Sequence, residues 1–163
     1  MTVRKQGIYD VVVGSDHAGF QLKERIKEFL TERGEQVYDA GTHTTDSVGT
    51  APIAESAGRM VVTGKARRGV LICGTGLGMS IAANKVAGIR AALCHNQFTA
   101  ALARQHNDAN VLVLGSRVLA AELALACLDV WLRESFLQGK YATRLHYLNE
   151  IERHSCEQLR NGS

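Results

Sequence analysis

The sequence predicts an α/β fold built around a parallel sheet. Two observations predict it: five short β-rich runs alternate with longer helix-compatible segments, and two of those runs are uniformly apolar, as in strands covered on both faces. The chain has 163 residues, 45% hydrophobic and 21% charged, which fits one folded domain. We therefore expect a single domain over residues 1–163, with a core over about 8–151 and a peripheral C-terminal helix and tail over 146–163.

The predicted strands recur along the chain, each followed by a helix-compatible segment. After the first strand, apolar residues such as Phe20 and Ile26 recur at helical spacing against charged residues such as Lys23, which predicts an amphipathic helix ending near Gly34. The segment 119–132 is apolar around most of its circumference, which indicates burial between the sheet and a partner subunit. The predicted strands are 8–14, 36–39, 69–73, 90–94 and 110–114.

The charge and the apolar content of the chain exclude several classes of partner. The net charge is only +3 and long runs of like charge are absent, so we expect no nucleic acid and no acidic membrane surface as partner. No stretch approaches about 18 consecutive apolar residues, and residues 1–10 lack the apolar stretch of a signal peptide. We therefore expect a cytoplasmic protein.

The four cysteines show neither CxxC nor Cys/His metal spacing, so we expect no disulfide and no metal site. Cys94 and Cys127 lie in apolar runs and are interpreted as small core residues. Cys73 differs because it ends an apolar strand and directly precedes a loop with glycine at every second position.

That loop is a candidate anion site. Gly74, Gly76 and Gly78 leave the backbone free to approach a ligand closely, and the helix that follows directs unpaired N–H groups at the same place. The anion is either a phosphate or an enediolate oxygen that forms during reaction, although an isolated motif of this kind is equally compatible with a simple tight turn. Because a helix N-terminus or a nearby cation favours a thiolate, Cys73 is a candidate base, and the loop outweighs the commoner role of an inert buried cysteine.

Three further groups of residues carry polar side chains that can contact a ligand hydroxyl or a phosphate. Asp16 and His17 follow the first strand, where they either contact a ligand or form a helix N-cap beside a solvent-facing histidine. His106 is either a general acid or base or a surface histidine. Lys140 and Arg144 share a helical face and either clasp a phosphate or form a solvated basic patch.

Two common nucleotide-binding templates do not fit the chain. A dinucleotide fold requires an acidic residue about twenty positions after its glycine loop, and the segment 94–97 has none. The GxxxxGK[ST] pattern of a P-loop is absent as well. We therefore expect no cofactor.

Six motifs occur in order along the chain: Gly14-Ser15-Asp16-His17-Ala18-Gly19, Ile72-Cys73-Gly74-Thr75-Gly76-Leu77-Gly78, Ala83-Asn84-Lys85, Gly88-Ile89-Arg90-Ala91, Arg104-Gln105-His106-Asn107-Asp108-Ala109-Asn110-Val111 and Gly115-Ser116-Arg117. Together they resemble the type B ribose-5-phosphate isomerases, part of a broader sugar-phosphate isomerase family that includes the galactose-6-phosphate isomerase subunits. The similarity runs from about Val11 to Ile151, and the combination is much more specific than any single motif.

The resemblance implies a Rossmann-like three-layer α/β/α sandwich with a five-stranded parallel sheet. It also implies a homodimer or a dimer of dimers whose active sites lie between subunits, with neither a metal nor an organic cofactor. The implied activity is isomerisation of ribose 5-phosphate to ribulose 5-phosphate through a cis-enediolate.

The same resemblance implies roles for individual residues. Cys73 matches the base that moves a proton between C1 and C2, with Thr75 beside the enediolate oxygen, and His106 matches the residue that opens the furanose ring. The other positions match substrate-binding residues: loop amides at Gly74, Gly76, Leu77 and Gly78, sugar contacts at Asp16 and Asn107, and phosphate contacts at His17, Arg117, Lys140 and Arg144.

The chain departs from the family pattern in two places. Gly49-Thr50-Ala51-Pro52 stands where these enzymes usually carry Thr-Asp-Tyr-Pro, so an aromatic wall and a carboxylate are missing. Lys140 replaces a usual arginine, which keeps the charge and loses bidentate geometry. The alternatives to ribose 5-phosphate are another aldose phosphate, such as allose 6-phosphate or a four-carbon sugar phosphate, or a non-catalytic role in phosphosugar binding.

Overall fold

Five parallel strands form the sheet of the computed structural model, which describes residues 8–161. The strands are β1 (Tyr9–Ser15), β2 (Val37–Asp39), β3 (Ala66–Cys73), β4 (Ala91–Leu93) and β5 (Val111–Gly115). Their order across the sheet is β2-β1-β3-β5-β4, and every neighbouring pair is parallel. The predicted α/β fold with a five-stranded parallel sheet is confirmed, and no strand end differs from its prediction by more than three residues.

Helices cover both faces of this sheet. They are α1 (Phe20–Glu32), α2 (Thr50–Val62), α3 (Leu77–Ala83), α4 (Gln97–Asn107), α5 (Ala121–Arg133) and α6 (Lys140–Asn161), with a short 3₁₀ turn, His17–Gly19, before α1. α1, α4 and α5 pack on one face, and α2 and α3 pack on the other, which gives the three-layer arrangement that the resemblance implied. Within residues 8–161, no helix is long and apolar enough to cross a bilayer.

The central strands are apolar on both sides because both of their faces are covered. Along β3, Val70 and Ile72 pack under α1, α4 and α5, whereas Leu71 and Cys73 face α2 and α3. All four side chains are buried. The uniform apolar run that marks this strand in the sequence follows from its two covered faces.

The connections that follow β1 and β3 cross opposite faces of the sheet. β1 continues through α1 on one face to β2, whereas β3 continues through α3 on the other face to β4. Because β1 and β3 are neighbours, their carboxyl ends flank a topological switch point, the place where open α/β sheets bind ligands. Asp16 follows the first of these strands and Gly74 follows the second, so the fold brings both predicted junctions to this point.

The C-terminal helix differs from its prediction. The sequence predicts a helix over 146–163, but α6 begins six residues earlier, at Lys140. Its start follows a turn in which Gln138 and Gly139 both have positive φ, 60° and 56°. None of the side chains of α6 is buried in the described range. Residues 1–7 of the N-terminal segment and residues 162–163 of the tail lie outside the described residues.

Lys23 of α1 is buried, although the helical pattern places it among the charged positions of the helix. The side chain of Lys23 is 0% exposed and donates to both carboxylate oxygens of Asp39, at 2.7 and 2.6 Å. Burial alone would raise the pKa of Asp39, but hydrogen bonds from Lys23 and Lys27 outweigh it and hold the pKa below its ordinary value. The helical pattern could not reveal this ion pair, because Asp39 reaches Lys23 from the end of β2.

Candidate active site

A glycine loop at the end of β3 holds the thiol of Cys73. The N–H of Gly76 donates to the Sγ of Cys73 at 3.1 Å. Gly76 has a φ of 82°, and a Cβ added there would collide with the side chain of Leu93. Only glycine fits this position without strain, so the residue type and the hydrogen bond to the sulfur depend on each other.

The loop also continues into α3, whose first amides have no partner within the helix. Cys73 is only 5% exposed, whereas Thr75, Leu77 and Gly78 are exposed. Gly78 is the second residue of α3, so its N–H has no partner within the helix. The arrangement therefore combines a nearly buried thiol, one amide that donates to its sulfur, and another amide that can donate to an oxygen of a ligand.

The carboxylate of Asp16 caps the turn that follows β1. Its Oδ1 accepts from the N–H of Gly19 at 3.1 Å, and its backbone N–H donates to the carbonyl of Ile72 at 3.2 Å. The N-cap interpretation of Asp16 is thus part of its role, and the cap fixes the carboxylate next to the end of β3. The second carboxylate oxygen is left for a ligand hydroxyl.

Two basic side chains flank the glycine loop. The Nδ1 of His17 is buried and has no hydrogen-bond partner within residues 8–161. Arg117 donates its backbone N–H to the carbonyl of Gly74 at 2.9 Å, and a Cβ added to Gly74 would lie 3.4–3.5 Å from the Arg117 side chain. Beside Arg117 opens a cleft of about 290 Å³ that is also lined by Gln21 and Arg25. We call this group the cysteine cluster: Asp16, His17, residues 73–78 and Arg117.

Three of the four remaining predicted residues contact one tyrosine. The imidazole of His106, in the last turn of α4, stacks on the ring of Tyr141 with centroids 4.1 Å apart and an interplanar angle of 10°. Lys140 Nζ and Arg144 Cζ lie 5.2 and 5.5 Å from the centroid of the same ring. Asn107 ends α4 and is exposed. We call this group the histidine cluster: His106, Asn107, Lys140, Tyr141 and Arg144.

The two clusters lie at opposite edges of the sheet. α4 runs from the carboxyl end of β4 back to the amino end of β5, and its 11 residues span about 16 Å. His106 therefore lies at the amino edge, whereas Cys73 lies at the carboxyl edge. Within one chain, the fold brings Asp16, His17 and Arg117 to Cys73 but leaves His106 far from it.

Tyr141 is the residue of these clusters that the sequence analysis did not single out. The available signal was its place beside Lys140, on a turn of helix that also carries Arg144. Its stack on His106 joins two distant parts of the chain and depends on how α6 packs on α4. No local pattern records such a contact.

Thr50, in the segment that departs from the family pattern, lies against the glycine loop. Thr50 begins α2, and a Cβ added to Gly78 would lie 3.5 Å from the Cγ2 of Thr50. Ala51 instead is exposed and lines a groove between α2 and α3 with Glu55 and Lys85. Thr50 is therefore the residue of this segment that is placed to influence a ligand on the loop.

The other two buried cysteines lie in the core, as the sequence predicts. Burial raises the pKa of Cys94 to about 11 and also raises the pKa of Cys127, so both favour the neutral thiol. In the part of the chain that is described, no group of three or more His, Cys, Asp or Glu side chains is arranged to hold a metal ion.

Comparison with known proteins identifies the family. The ribose/galactose isomerase family matches residues 11–148. The ribose-5-phosphate isomerase B of Escherichia coli (strain K12) is 44% identical over 142 residues, which cover 87% of this chain and 95% of that protein. The D-erythrulose-4-phosphate isomerase of Pectobacterium atrosepticum is 39% identical over 146 residues, with coverage of 87% and 94%. The solved structure of a ribose-5-phosphate isomerase B from Clostridium thermocellum is 48% identical, with a TM-score of 0.88 and coverage of 89% of this chain and 98% of that one.

The sequence match and the structural match agree with the motifs from which the resemblance was drawn. The matched region contains β1 to β5, apart from Tyr9 and Asp10 at the start of β1, and it reaches into α6. Both clusters lie within it. The chain belongs to the ribose/galactose isomerase family.

Proposed function

We propose that this enzyme interconverts ribose 5-phosphate and ribulose 5-phosphate without a cofactor. The observation that carries the proposal is the thiol of Cys73, held by the N–H of Gly76 at 3.1 Å beside the switch point of the sheet. Aldose–ketose isomerisation needs one base that reaches two adjacent carbons and a donor that stabilises the oxyanion between them. The relatives from E. coli and C. thermocellum support a five-carbon substrate. A cytoplasmic location stays a prediction.

In the proposed reaction the Cys73 thiolate removes the proton from C2 of the open-chain aldose. The electrons of that C–H bond form the C1–C2 double bond, and the carbonyl electrons move to O1, which gives a cis-enediolate. The N–H of Gly78 donates to the oxyanion, and the Thr75 hydroxyl, which accepts from the N–H of Leu77 at 3.3 Å, lies next to it. The Cys73 thiol then returns the proton to C1, and the proton on O2 passes to O1 as the C2 carbonyl forms.

The phosphate is proposed to bind among basic side chains of both clusters. The buried Nδ1 of His17 gains a partner when it contacts a phosphate oxygen, which removes the cost of an unsatisfied polar atom. Arg117 adds a guanidinium on the same side. Lys140 and Arg144 add two positive charges from the histidine cluster, and charge-assisted hydrogen bonds of this kind suit a phosphate dianion.

Each active site is proposed to combine the cysteine cluster of one chain with the histidine cluster of a second copy. The height of the sheet, about 16 Å, separates the two clusters within one chain and supports this arrangement. Exposed apolar side chains near the carboxyl edge offer a surface for the second chain: Leu77 is 57%, Ile81 63% and Phe98 71% exposed. In the resulting homodimer or dimer of dimers, His106 opens the furanose ring and Asn107 contacts the sugar.

Combining two inactive variants tests the base and the shared site together. Cys73→Ala and His106→Ala are each expected to lower kcat for ribose 5-phosphate by about 10²-fold or more. When both variants are co-expressed in equal amounts, about half of the dimers contain one chain of each kind, and each such dimer has one intact site of its two. Activity should therefore recover to about a quarter of wild type. No recovery would overturn the shared site. A Cys73→Ala protein with more than about a tenth of the wild-type rate would exclude Cys73 as the base.

A four-carbon aldose phosphate is a second candidate substrate. The similarity to the D-erythrulose-4-phosphate isomerase of P. atrosepticum and the altered segment at Thr50, which adjoins Gly78, favour it. The values of kcat/KM for ribose 5-phosphate, allose 6-phosphate and erythrose 4-phosphate decide among the aldose substrates. A phosphosugar-binding protein without activity would instead bind one of them tightly and exchange no C2 proton with solvent.

A further inference from the structure

The imidazole of His106 is held by the face of one aromatic ring. The two rings are nearly parallel, at 10°, with centroids 4.1 Å apart. A parallel stack covers the face of an imidazole and leaves its edge open, and both nitrogens lie on that edge. The contact with Tyr141 therefore fixes the plane of the ring without occupying either atom that transfers a proton.

The same phenol ring also attracts the two cations of the histidine cluster. Lys140 Nζ lies 5.2 Å and Arg144 Cζ 5.5 Å from its centroid, which are cation–π distances. Lys140 precedes the tyrosine directly, and Arg144 lies three residues after it, one turn further along α6. One ring thus contacts an acid–base group and two candidate phosphate ligands.

The backbone before α6 sets this ring in place. Gln138 and Gly139 form a left-handed turn that directs the first residues of the helix. The N–H of Leu137 donates to the carbonyl of Gln105 at 3.0 Å, and the side-chain amide of Gln105 donates to Glu134 at 2.7 Å. Gln105 precedes His106 directly, so the turn is attached to α4 beside the imidazole that Tyr141 covers.

We propose that Tyr141 is the positioning residue of the histidine cluster. Its ring orients the imidazole of His106 for opening the sugar ring and holds Lys140 and Arg144 beside that imidazole, so that the acid–base group and the phosphate ligands reach the second subunit as one unit. This inference rests on the proposed function. It assigns the effect to the face of the ring, because the stack and both cation contacts use the face and none requires the hydroxyl.

Tyr147 on the same helix provides a matched control. It is 64% exposed, and its ring meets that of His146 at a tilt of 53° with centroids 6.0 Å apart. It therefore belongs to the same element and the same residue type, with a histidine beside it, but it lies outside the histidine cluster.

The test separates ring opening from proton transfer. Conversion of ribose 5-phosphate requires both steps, because this aldose closes into a furanose ring. Ribulose 5-phosphate carries the phosphate on the hydroxyl that would close such a ring, so exchange of solvent deuterium into its C1 requires no ring opening. At saturating substrate, the rate of this exchange reports proton transfer by Cys73 and the loop. Both reactions are measured at saturating substrate for the wild type, Tyr141→Leu, Tyr141→Phe and Tyr147→Leu.

We expect Tyr141→Leu to lower kcat for ribose 5-phosphate by about tenfold to a hundredfold, part of the usual contribution of an acid–base group, while deuterium exchange stays within about twofold. Tyr141→Phe should restore conversion to within about threefold of wild type, since it keeps the ring face. Tyr147→Leu should leave both reactions unchanged. The retained exchange also shows that the cysteine cluster of the Leu variant is folded.

Three results would overturn the inference: a Leu variant that keeps its kcat, a parallel loss of conversion and exchange, or a Phe variant as impaired as the Leu variant. In each of these cases a wild-type enzyme that converts and exchanges leaves the proposed function intact. A wild-type enzyme that does neither would overturn the proposed function and this inference with it.

Discussion

The cysteine cluster is made mainly of backbone groups, whereas the histidine cluster is made of side chains. In the first, the N–H of Gly76 holds the sulfur of Cys73 and the carbonyl of Gly74 holds Arg117. In the second, rings and cations meet around Tyr141. Backbone groups at a strand end are fixed by the fold itself, so the cysteine cluster should tolerate few substitutions. Side chains are fixed by pairwise contacts, so the histidine cluster should accept a substitution that preserves the contact.

The two clusters are also anchored to the molecule in different ways. The loop after β2 that adjoins the cysteine cluster is secured by the buried Lys23–Asp39 pair, since Asp39 also accepts the N–H of Gly41 at 2.9 Å. Gly41 in turn accepts the N–H of Ser15 at 2.6 Å, directly before Asp16. α6 has no buried residue in the described range and is joined to the loop before β4 by an exposed hydrogen bond. Removing the Lys23–Asp39 pair should therefore lower the free energy of unfolding far more than removing the exposed hydrogen bond of α6.

The largest effect is expected from Gly76→Ala. Gly76 has a φ of 82°, and the new Cβ would collide with the side chain of Leu93. Relieving that collision moves the backbone N–H of residue 76 away from the sulfur of Cys73. Loss of one preorganised donor typically lowers kcat by about 10²–10³-fold, and steady-state assays with ribose 5-phosphate measure it.

Gly34→Ala separates backbone strain from the site. Gly34 has a similar φ of 77°, but a Cβ added there meets no atom within 4 Å. We expect this variant to lose about 1–2 kcal/mol of unfolding free energy with unchanged kcat. If both alanine variants lost activity equally, the special role of the loop in the cysteine cluster would be refuted.

The next largest effect is expected on stability, from Asp39→Asn. Lys23 is 0% exposed, and removing the carboxylate leaves its charge without its main partner. We expect a loss of about 3 kcal/mol in urea unfolding at neutral pH, at the lower end for a broken buried pair because Glu24 remains 3.1 Å from Lys23. The matched change in the other anchor, Glu152→Ala, removes the exposed acceptor of the Gly88 N–H and should cost less than about 1 kcal/mol.

The same pair predicts how stability depends on pH. Because the pKa of Asp39 is lowered in the folded protein, its contribution is fully present above the ordinary aspartate pKa of about 3.9 and is lost as the pH falls through the lower folded value. Unfolding free energies measured between pH 2 and pH 6 should therefore fall less steeply in Asp39→Asn than in the wild type. Equal slopes in the two proteins would contradict the assignment.

Local sequence patterns predict most of the fold and most of the cysteine cluster. The strands are recognisable as apolar runs because both faces of the sheet are covered. The residues of the loop 73–78 are contiguous in sequence, so the loop is predicted directly at the end of its strand. The switch-point rule then brings Asp16 to the same place. Each of these steps uses residues that are neighbours in sequence or ends of predicted strands.

Long-range side-chain contacts could not be predicted in the same way. Lys23 stands at a polar position of α1, and only the end of β2, which brings Asp39, explains its burial. Tyr141 joins the histidine cluster through α6, whose start depends on the turn at Gln138 and Gly139 rather than on helical periodicity. The sequence identifies His106 as a candidate, but its distance from Cys73 follows from the direction of α4, which sequence motifs do not show.

The smallest effect is expected from Lys140→Arg, the change that should be tolerated best if the histidine cluster is held by side-chain contacts. An arginine keeps the positive charge and the cation–π contact with Tyr141 and adds a planar fork that binds phosphate in a bidentate manner. We expect KM for ribose 5-phosphate to fall by about threefold to tenfold, with kcat within about twofold, since the gain is in binding the phosphate in ground and transition states alike. Lys65→Arg, an exposed lysine outside both clusters, should change neither constant. An unchanged or higher KM in Lys140→Arg would remove Lys140 from the phosphate site.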